Sequence, residues 1–454
     1  MIWRICSHGP GVSKSLASRA VFLAALLACA SAFAQTFDPS ELKLLNTIGH
    51  EPNTLARYQY LAQEMSRLSP DERVLAMQFM SFSLDELGLY DQAIFSFPLR
   101  NSLPSGLVLP TPADWKAADA ADVITSLAAN RRIVMVNEAH HDTHTRLLTL
   151  ELLPRLRALG FNYFAAEALS ENDPDLAKRG YPVEKSGTEY LRDPVYGDIV
   201  REAIRLGYII VPYDNGLTGQ AREDGQAETL YRKVFAKDPH ARLFVHAGYA
   251  HIDKVAGRLG NLHPMAMRLE ALTGITPLSI DQTDILETGL DSTDAYHQLV
   301  HDFPSGGPEV LLNRRTGLPW SDRPAAYDLN VILPPSLTIQ AFGQYKYGFR
   351  NDSMVGGLPH IDDTNEMQRS DWLSLDGKRR PYPISAALCR GSIPCVVDVH
   401  YPGEPDDAIA ADRYAFMGSK EATLLYLRPG RYRLLARGSD GAPLLEHTIN
   451  VSHP

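Results

Sequence analysis

The run VMVNEAHHDTHTR, Val134 to Arg146, places Glu138, His140, His141, Asp142 and His144 within seven positions, directly behind a stretch of Ile and Val. Imidazole beside carboxylate is the pairing that activates water, or that holds a divalent ion which does so. The pattern recurs along the chain. Glu167 follows YFAA, Asp214 follows VPY, His246 follows LFV, and His251 follows Gly248-Tyr249-Ala250, where the glycine is expected to turn the backbone and present the imidazole. Not every member needs chemistry to explain it. Asp142 or Thr143 suits the cap of a helix beginning near His144, and Asp214 opens the turn-forming Asp-Asn-Gly. Glutamate is a poor cap, so Glu138 and Glu167 read as site residues.

These side chains need a scaffold that gathers them. Between residues 115 and 325 the apolar runs 132–136, 163–166, 208–213, 241–245 and 275–280 alternate with longer amphipathic stretches. That rhythm predicts an α/β domain, an open and mostly parallel sheet flanked by helices. In such a sheet the carboxyl ends of the strands share one edge, and ligands bind in the crevice outside it. Pro154 is expected to kink or split the first helix after Glu138. Residues 35–100 carry helical periodicity and form a helical subdomain. Residues 101–114, rich in Pro, Ser and Gly, read as a linker. Residues 326–454 hold short apolar runs with Gly/Pro punctuation, the pattern of a β-rich C-terminal appendage.

The chain of 454 residues, 44% hydrophobic and 22% charged, is long enough for several domains, and its formal net charge of -10 disfavours nucleic acid as a partner. Arg4, Lys14 and Arg19 precede the apolar run AVFLAALLACASAFA, which ends in a small-residue site before Gln35. Residues 1–34 therefore read as a signal peptide, with a periplasmic or extracellular destination. The alternative is a lipoprotein anchored through Cys29. No other segment has the length of uninterrupted apolar residues that a transmembrane helix needs. Export makes a Cys389–Cys395 disulfide the expected state of the two remaining cysteines.

Several signatures are missing: the G-x-S-x-G elbow, H-E-x-x-H, the phosphate-cradling G-x-x-x-x-G-K, G-x-G-x-x-G and C-x-x-C. Common serine hydrolases, zincins and nucleotide enzymes lose support. What is left is histidine with carboxylate.

The segments IVMVNEAHHDTHTRLLTLELLPRLRALGFNYFAAEAL, AREDGQAETLYRKVF and ARLFVHAGYAHIDK together resemble the erythromycin esterase-like, ChaN-like and Tiki/TraB superfamily over about residues 130–285. Under this resemblance Glu138 matches the glutamate of the first motif and Glu167 the acid on the second strand. Arg222 matches the arginine opening a later helix, and His251 the histidine of G-x-x-H. His140 has the spacing of ChaN-like and Tiki-like members, His141 that of the esterases. Asn137 stands where the family usually has Gly. Gly248 stands where the esterases carry the first histidine of H-N-x-H, with His246 two residues earlier as its possible substitute.

The leading expectation is an exported hydrolase acting on an ester or amide carbonyl of a small-molecule or peptide substrate. His140 or His141 would take the proton of water, Glu138 or Glu167 would orient that imidazole, and Arg222 or His251 would stabilise the oxyanion. A metal-assisted version would draw its ligands from Glu138, His140, Glu167, His246 and His251. The resemblance also implies alternatives: a ChaN-like haem or iron carrier using His140, His144 or His251 as axial ligand, a Tiki-like metalloprotease, or a non-catalytic interaction protein.

Overall fold

The structure, a computed structural model, describes residues 39–99, 102–287, 294–336 and 369–452. The expected signal peptide and Cys29 lie outside the described residues. Among those described, no helix is long and apolar enough to cross a membrane.

Six parallel strands build the central sheet: β2 (Ile133–Glu138), β3 (Tyr163–Ala166), β4 (Ile209–Pro212), β5 (Leu243–Gly248), β6 (Leu278–Asp281) and β8 (Leu329–Asn330), in the order β4-β3-β5-β2-β6-β8. β2, β3, β5 and β6 are buried at every position, as strands covered on both faces must be. Register levels their ends. Val136 of β2 and Ala166 of β3 both pair with His246 of β5, so Glu138, Glu167 and Gly248 emerge at the same edge.

The sheet's two faces differ. Ile133, Met135, Val245 and Ala247 pack under the helices Gly219–Leu230 and Met265–Thr273. On the opposite face, Val134, Val136, Phe164 and Phe244 belong to a core that runs without interruption from Leu44 to Val451. The N-terminal helices and the C-terminal strands thus share one apolar interior with the sheet. The helix Leu147–Ala158 lies in this layer, burying Leu148, Leu152, Leu153 and Leu156. Pro154 does not split it. The proline sits inside a continuous helix, on the exposed side.

The N-terminal segment folds as four helices, Pro39–Ile48, Thr54–Glu64, Pro70–Glu86 and Tyr90–Ser96. The third starts on a capping box, Ser69 with Glu72, and has Pro70 at its first position, where a missing N–H costs nothing. Its last eight residues, Phe79 to Glu86, are all buried, which drives its C-terminal end toward the sheet edge. Two antiparallel strands, β1 (Trp115–Asp119) and β7 (Glu309–Asn313), pair beside the main sheet. The C-terminal part is antiparallel as expected: β10 (Cys395–His400), β11 (Asp412–Phe416), β13 (Gly430–Gly438) and β14 (Pro443–Val451) form one sheet, and β9 (Arg380–Ser385) pairs with β12 (Ala422–Leu427). The Cys389–Cys395 disulfide is formed at the start of β10.

Candidate active site

Glu138, the last residue of β2, holds three cationic or potentially cationic groups. Its Oε2 accepts from Arg146 Nε at 2.5 Å and lies 3.7 Å from His246 Nε2, while Oε1 is 3.2 Å from His140 Nδ1. Burial alone would raise the carboxyl pKa, but the Arg146 guanidinium, with His140 and His246, holds it well below the usual range.

Arg146 is brought there by a tight turn. Asp142 accepts from the His144 N–H at 3.0 Å, capping a 3₁₀ turn from Thr143 to Arg146 that leads into the Leu147–Ala158 helix. The turn is pinned from outside by Asp85, at the end of the Pro70–Glu86 helix, which accepts from the Thr143 N–H, the Thr143 hydroxyl and Arg146 Nη1. Burial pushes the Asp85 carboxyl up to about 8, against the pull of Arg146 and with the help of Asp193. The N-terminal helices therefore supply part of the site's framework.

Glu167, just past β3, forms the second centre. It accepts from Arg222 Nη2 and from the Gly248 N–H, both at 2.5 Å. Burial opposes its ionisation, but His251, Arg222, His140 and the Gly248 N–H bring its carboxyl down to about 2. Arg222, in the first turn of the Gly219–Leu230 helix, also meets Asp214 through Nε at 3.1 Å and His251 Nε2 through Nη1 at 2.8 Å. His251 Nδ1 lies 2.9 Å from Glu223 Oε2. Burial lowers the His251 pKa while Glu223 and Glu167 raise it further than burial and Arg222 depress it. Its Nε2 thus faces both Arg222 and Glu167, the latter at 3.7 Å, while Nδ1 faces Glu223.

His140 lies between the two centres. It stacks on Tyr190, with ring centroids 3.9 Å apart. It also packs against the Gly248 main chain: a Cβ at residue 248 would sit 2.5 Å from His140 Cε1 and 3.2 Å from Glu167 Oε2. This explains the glycine where the resemblance expects a histidine. Its φ is an ordinary -76°. The residue that turns the backbone is Tyr249, with φ 43°, a correction to the expected role of Gly248. His246 does not stand in for the missing histidine at the rim. It points into the sheet's core, fully buried, with Nδ1 2.9 Å from Thr149 Oγ1.

His141 stacks face to face on Phe97 at 3.5 Å and has Nδ1 3.3 Å from the Tyr249 hydroxyl; burial, then the charges of His140 and Arg146, lowers its pKa to about 3. His144 turns away from the cluster. It stacks on Trp372 at 5.0 Å, lies 3.2 Å from Ser336 Oγ, and borders a separate cavity of about 1310 Å³ between the Leu147–Ala158 helix and residues 369–378. Asp214 joins the site through Arg222. Asn137, the other departure from the family pattern, donates from Nδ2 toward the Tyr249 carbonyl at 2.8 Å and Asp281 Oδ1 at 2.6 Å, tying β2 to β6 and to the Tyr249 turn.

Among the described residues, no three His, Cys, Asp or Glu side chains are grouped as a metal ion would require. The expected donors Glu138 and Glu167 are each engaged by a guanidinium. As an axial haem ligand His251 does not fit either, since both its ring nitrogens have protein partners.

Sequence reasoning missed Arg146, Asp85, Glu223, Tyr190 and Tyr249. Two of these carried a signal: Arg146 closes the opening histidine run, and Tyr249 stands within Gly-Tyr-Ala-His. Asp85, Tyr190 and Glu223 carried none, because only folding brings them near.

No protein-family model and no curated protein matches the chain. Among solved structures it is similar to the type III effector HopBA1, at 13% identity over 39% of this chain and 87% of that one, with a TM-score of 0.25. A structure described as bacterial protein toxins matches at 14% identity over 54% of this chain and 48% of the other, TM-score 0.27. RRSP, a MARTX toxin effector domain from Vibrio vulnificus CMCP6, matches at 13% identity over 56% and 61%, TM-score 0.27. All three likenesses are remote.

Proposed function

We propose that this protein is an exported hydrolase of the erythromycin esterase-like type, which activates water with a Glu138–His140 dyad and attacks an ester or amide carbonyl. The observation that carries this reading is the 3.2 Å contact between Glu138 Oε1 and His140 Nδ1 at a strand end, with Arg146 keeping the carboxylate ionised. A carboxylate on Nδ1 fixes the tautomer: Nδ1 carries the proton and Nε2 the lone pair.

In the proposed reaction, Nε2 takes a proton from water as the oxygen bonds to the carbonyl carbon, and the carbonyl π electrons move onto its oxygen. The intermediate then expels the alcohol or amine, which recovers the proton from His140. Glu138 stabilises the imidazolium between the two steps. His141 is the weaker candidate for base, since its lowered pKa leaves it little affinity for a proton. Arg222 and His251, expected to bind the oxyanion, are instead committed to Glu167, Asp214 and Glu223, and their role here is to brace the rim.

The test is hydrolysis of a panel of 4-nitrophenyl esters and 4-nitroanilides by the mature chain. His140→Asn is expected to lower kcat by ~10²–10⁴, with a smaller effect for His141→Asn. An unchanged rate in His140→Asn would sink the reading.

A second reading, haem binding, rests on His144 alone. Burial lowers its pKa to about 3, so the ring is neutral, and it borders the large cavity. It requires a Soret band on adding haem that His144→Ala abolishes.

A further inference from the structure

β5 is apolar apart from one residue. Its run Leu-Phe-Val-His-Ala-Gly places His246 on a strand that is buried at every position, and the imidazole is fully buried. Successive side chains of a strand point to opposite faces, so His246 shares the face of Phe244, where the helix Leu147–Ala158 packs. Burying a polar ring there costs free energy unless its nitrogens find partners. An apolar side chain would fill the same place at lower cost.

Both nitrogens have a neighbour on that face. Nδ1 lies 2.9 Å from Thr149 Oγ1, in the first turn of the helix Leu147–Ala158, and Nε2 lies 3.7 Å from Glu138 Oε2. Among the described residues, no nearer polar atom engages Nε2. The Tyr196 ring, from the helix Pro194–Arg205, packs against the imidazole at 76° with centroids 5.1 Å apart.

The chemistry of these neighbours places the proton. A hydroxyl both donates and accepts, whereas a carboxylate kept ionised by Arg146 only accepts. A lone pair on Nε2 would face negative charge in a dry interior; an N–H there faces it favourably, and the Thr149 hydroxyl can then donate to Nδ1. An imidazolium would present the same N–H to Glu138. The carboxylate is thus held from two sides. His140 meets Oε1 from the site, while His246 and Arg146 meet Oε2 from the interior. Burial opposes ionisation of this carboxyl, and Arg146, His140 and His246 together overcome it.

Resting on the hydrolase reading above, we infer that His246 is a positioning residue for the proposed reaction: from inside the sheet its Nε2–H holds Glu138 Oε2, so that Oε1 stays on His140 Nδ1. Thr149 fixes the imidazole that does this.

The experiment compares wild type, His140→Asn, His246→Leu, His246→Gln and Thr149→Val in hydrolysis of 4-nitrophenyl esters across pH, with folding checked by circular dichroism. His246→Leu is expected to lower kcat by ~10–10², the cost of a misplaced catalytic group, with KM within about twofold. Its acidic limb should move to higher pH, because a carboxylate with one donor fewer holds the proton on His140 more tightly. Arg146, His140 and Tyr196, the other charged or titratable groups facing this pair, are the same in all His246 and Thr149 variants. Glutamine carries an amide N–H near the position of Nε2, so His246→Gln should recover most of kcat and return the limb. Thr149→Val should move both in the direction of His246→Leu, by less, and it decides the matter if His246→Leu fails to fold. Wild-type kcat and an unmoved limb in whichever of these two variants decides, with His140→Asn inactive, would overturn the inference and leave the dyad standing. A lowered kcat with an unmoved limb, not recovered by glutamine, would reduce His246 to packing and overturn it equally. An active His140→Asn would overturn the dyad itself.

Discussion

Arg146 Nε donates to Glu138 Oε2 at 2.5 Å, and the same guanidinium reaches Asp85 at 2.8 Å and Asp193 at 3.3 Å through Nη1. One buried cation thus joins acidic groups from the sheet, from the N-terminal helices and from Asp193, the N-cap of the helix Pro194–Arg205. Arg146→Met would leave the Glu138 carboxylate without its guanidinium in the interior. Loss of one partner from a buried pair costs roughly 3–5 kcal/mol, so urea denaturation should show destabilisation of that order. A change below about 1 kcal/mol would mean the charges rearrange or neutralise at little cost.

Gly248→Ala tests how tightly the two centres are packed. The backbone at 248 is one that alanine adopts freely, so any effect is steric. The new methyl would press on His140 and Glu167. Overpacking of this kind costs roughly 1–3 kcal/mol, and displacing the imidazole should lower kcat at least tenfold by the logic of positioning. Full activity in this variant would show that His140 is not held against residue 248 during turnover.

Asp142 supplies a pH-dependent prediction. Burial pushes its carboxyl up to about 7, opposed by the His144 N–H and Arg146 and assisted by Glu138. Its folded pKa exceeds the unfolded value near ~3.9, so the native state binds the extra proton between those pH values. The stability this contributes is complete below about pH 4 and is lost as pH rises through 7. Asparagine keeps the cap but does not titrate. The melting temperature of Asp142→Asn relative to wild type should therefore rise from pH 4 to pH 8; a constant difference would refute the assignment.

The Cys389–Cys395 bridge spans a sequence separation of 6. So short a loop stabilises by about 2 kcal/mol in the chain-entropy account. The double serine variant should lose about that amount in denaturant titration and leave the proposed hydrolysis unchanged, since the bridge lies in the C-terminal sheet.

Much of the site was legible because strand-end residues are local facts. The Ile/Val run that makes β2 a buried strand also dictates that Glu138 follows it at the edge, and the same holds for Glu167 and β3. Alternation of apolar runs with amphipathic stretches was enough for the parallel sheet. The irregular turns were less readable. Glycine is the usual bearer of positive φ, so Gly248 drew attention that belonged to Tyr249, whose carbonyl is held by Asn137.

The sequence by itself determined which side chains reach the sheet edge, because hydrophobic periodicity sets where each strand stops. Tertiary structure alone decided what those side chains do there. Asp85 and Asp193 hold Arg146 against Glu138, Tyr190 stacks on His140, and Trp372 stacks on His144; all four partners come from distant segments, and their charge and packing are felt only at contact distance in a dry interior.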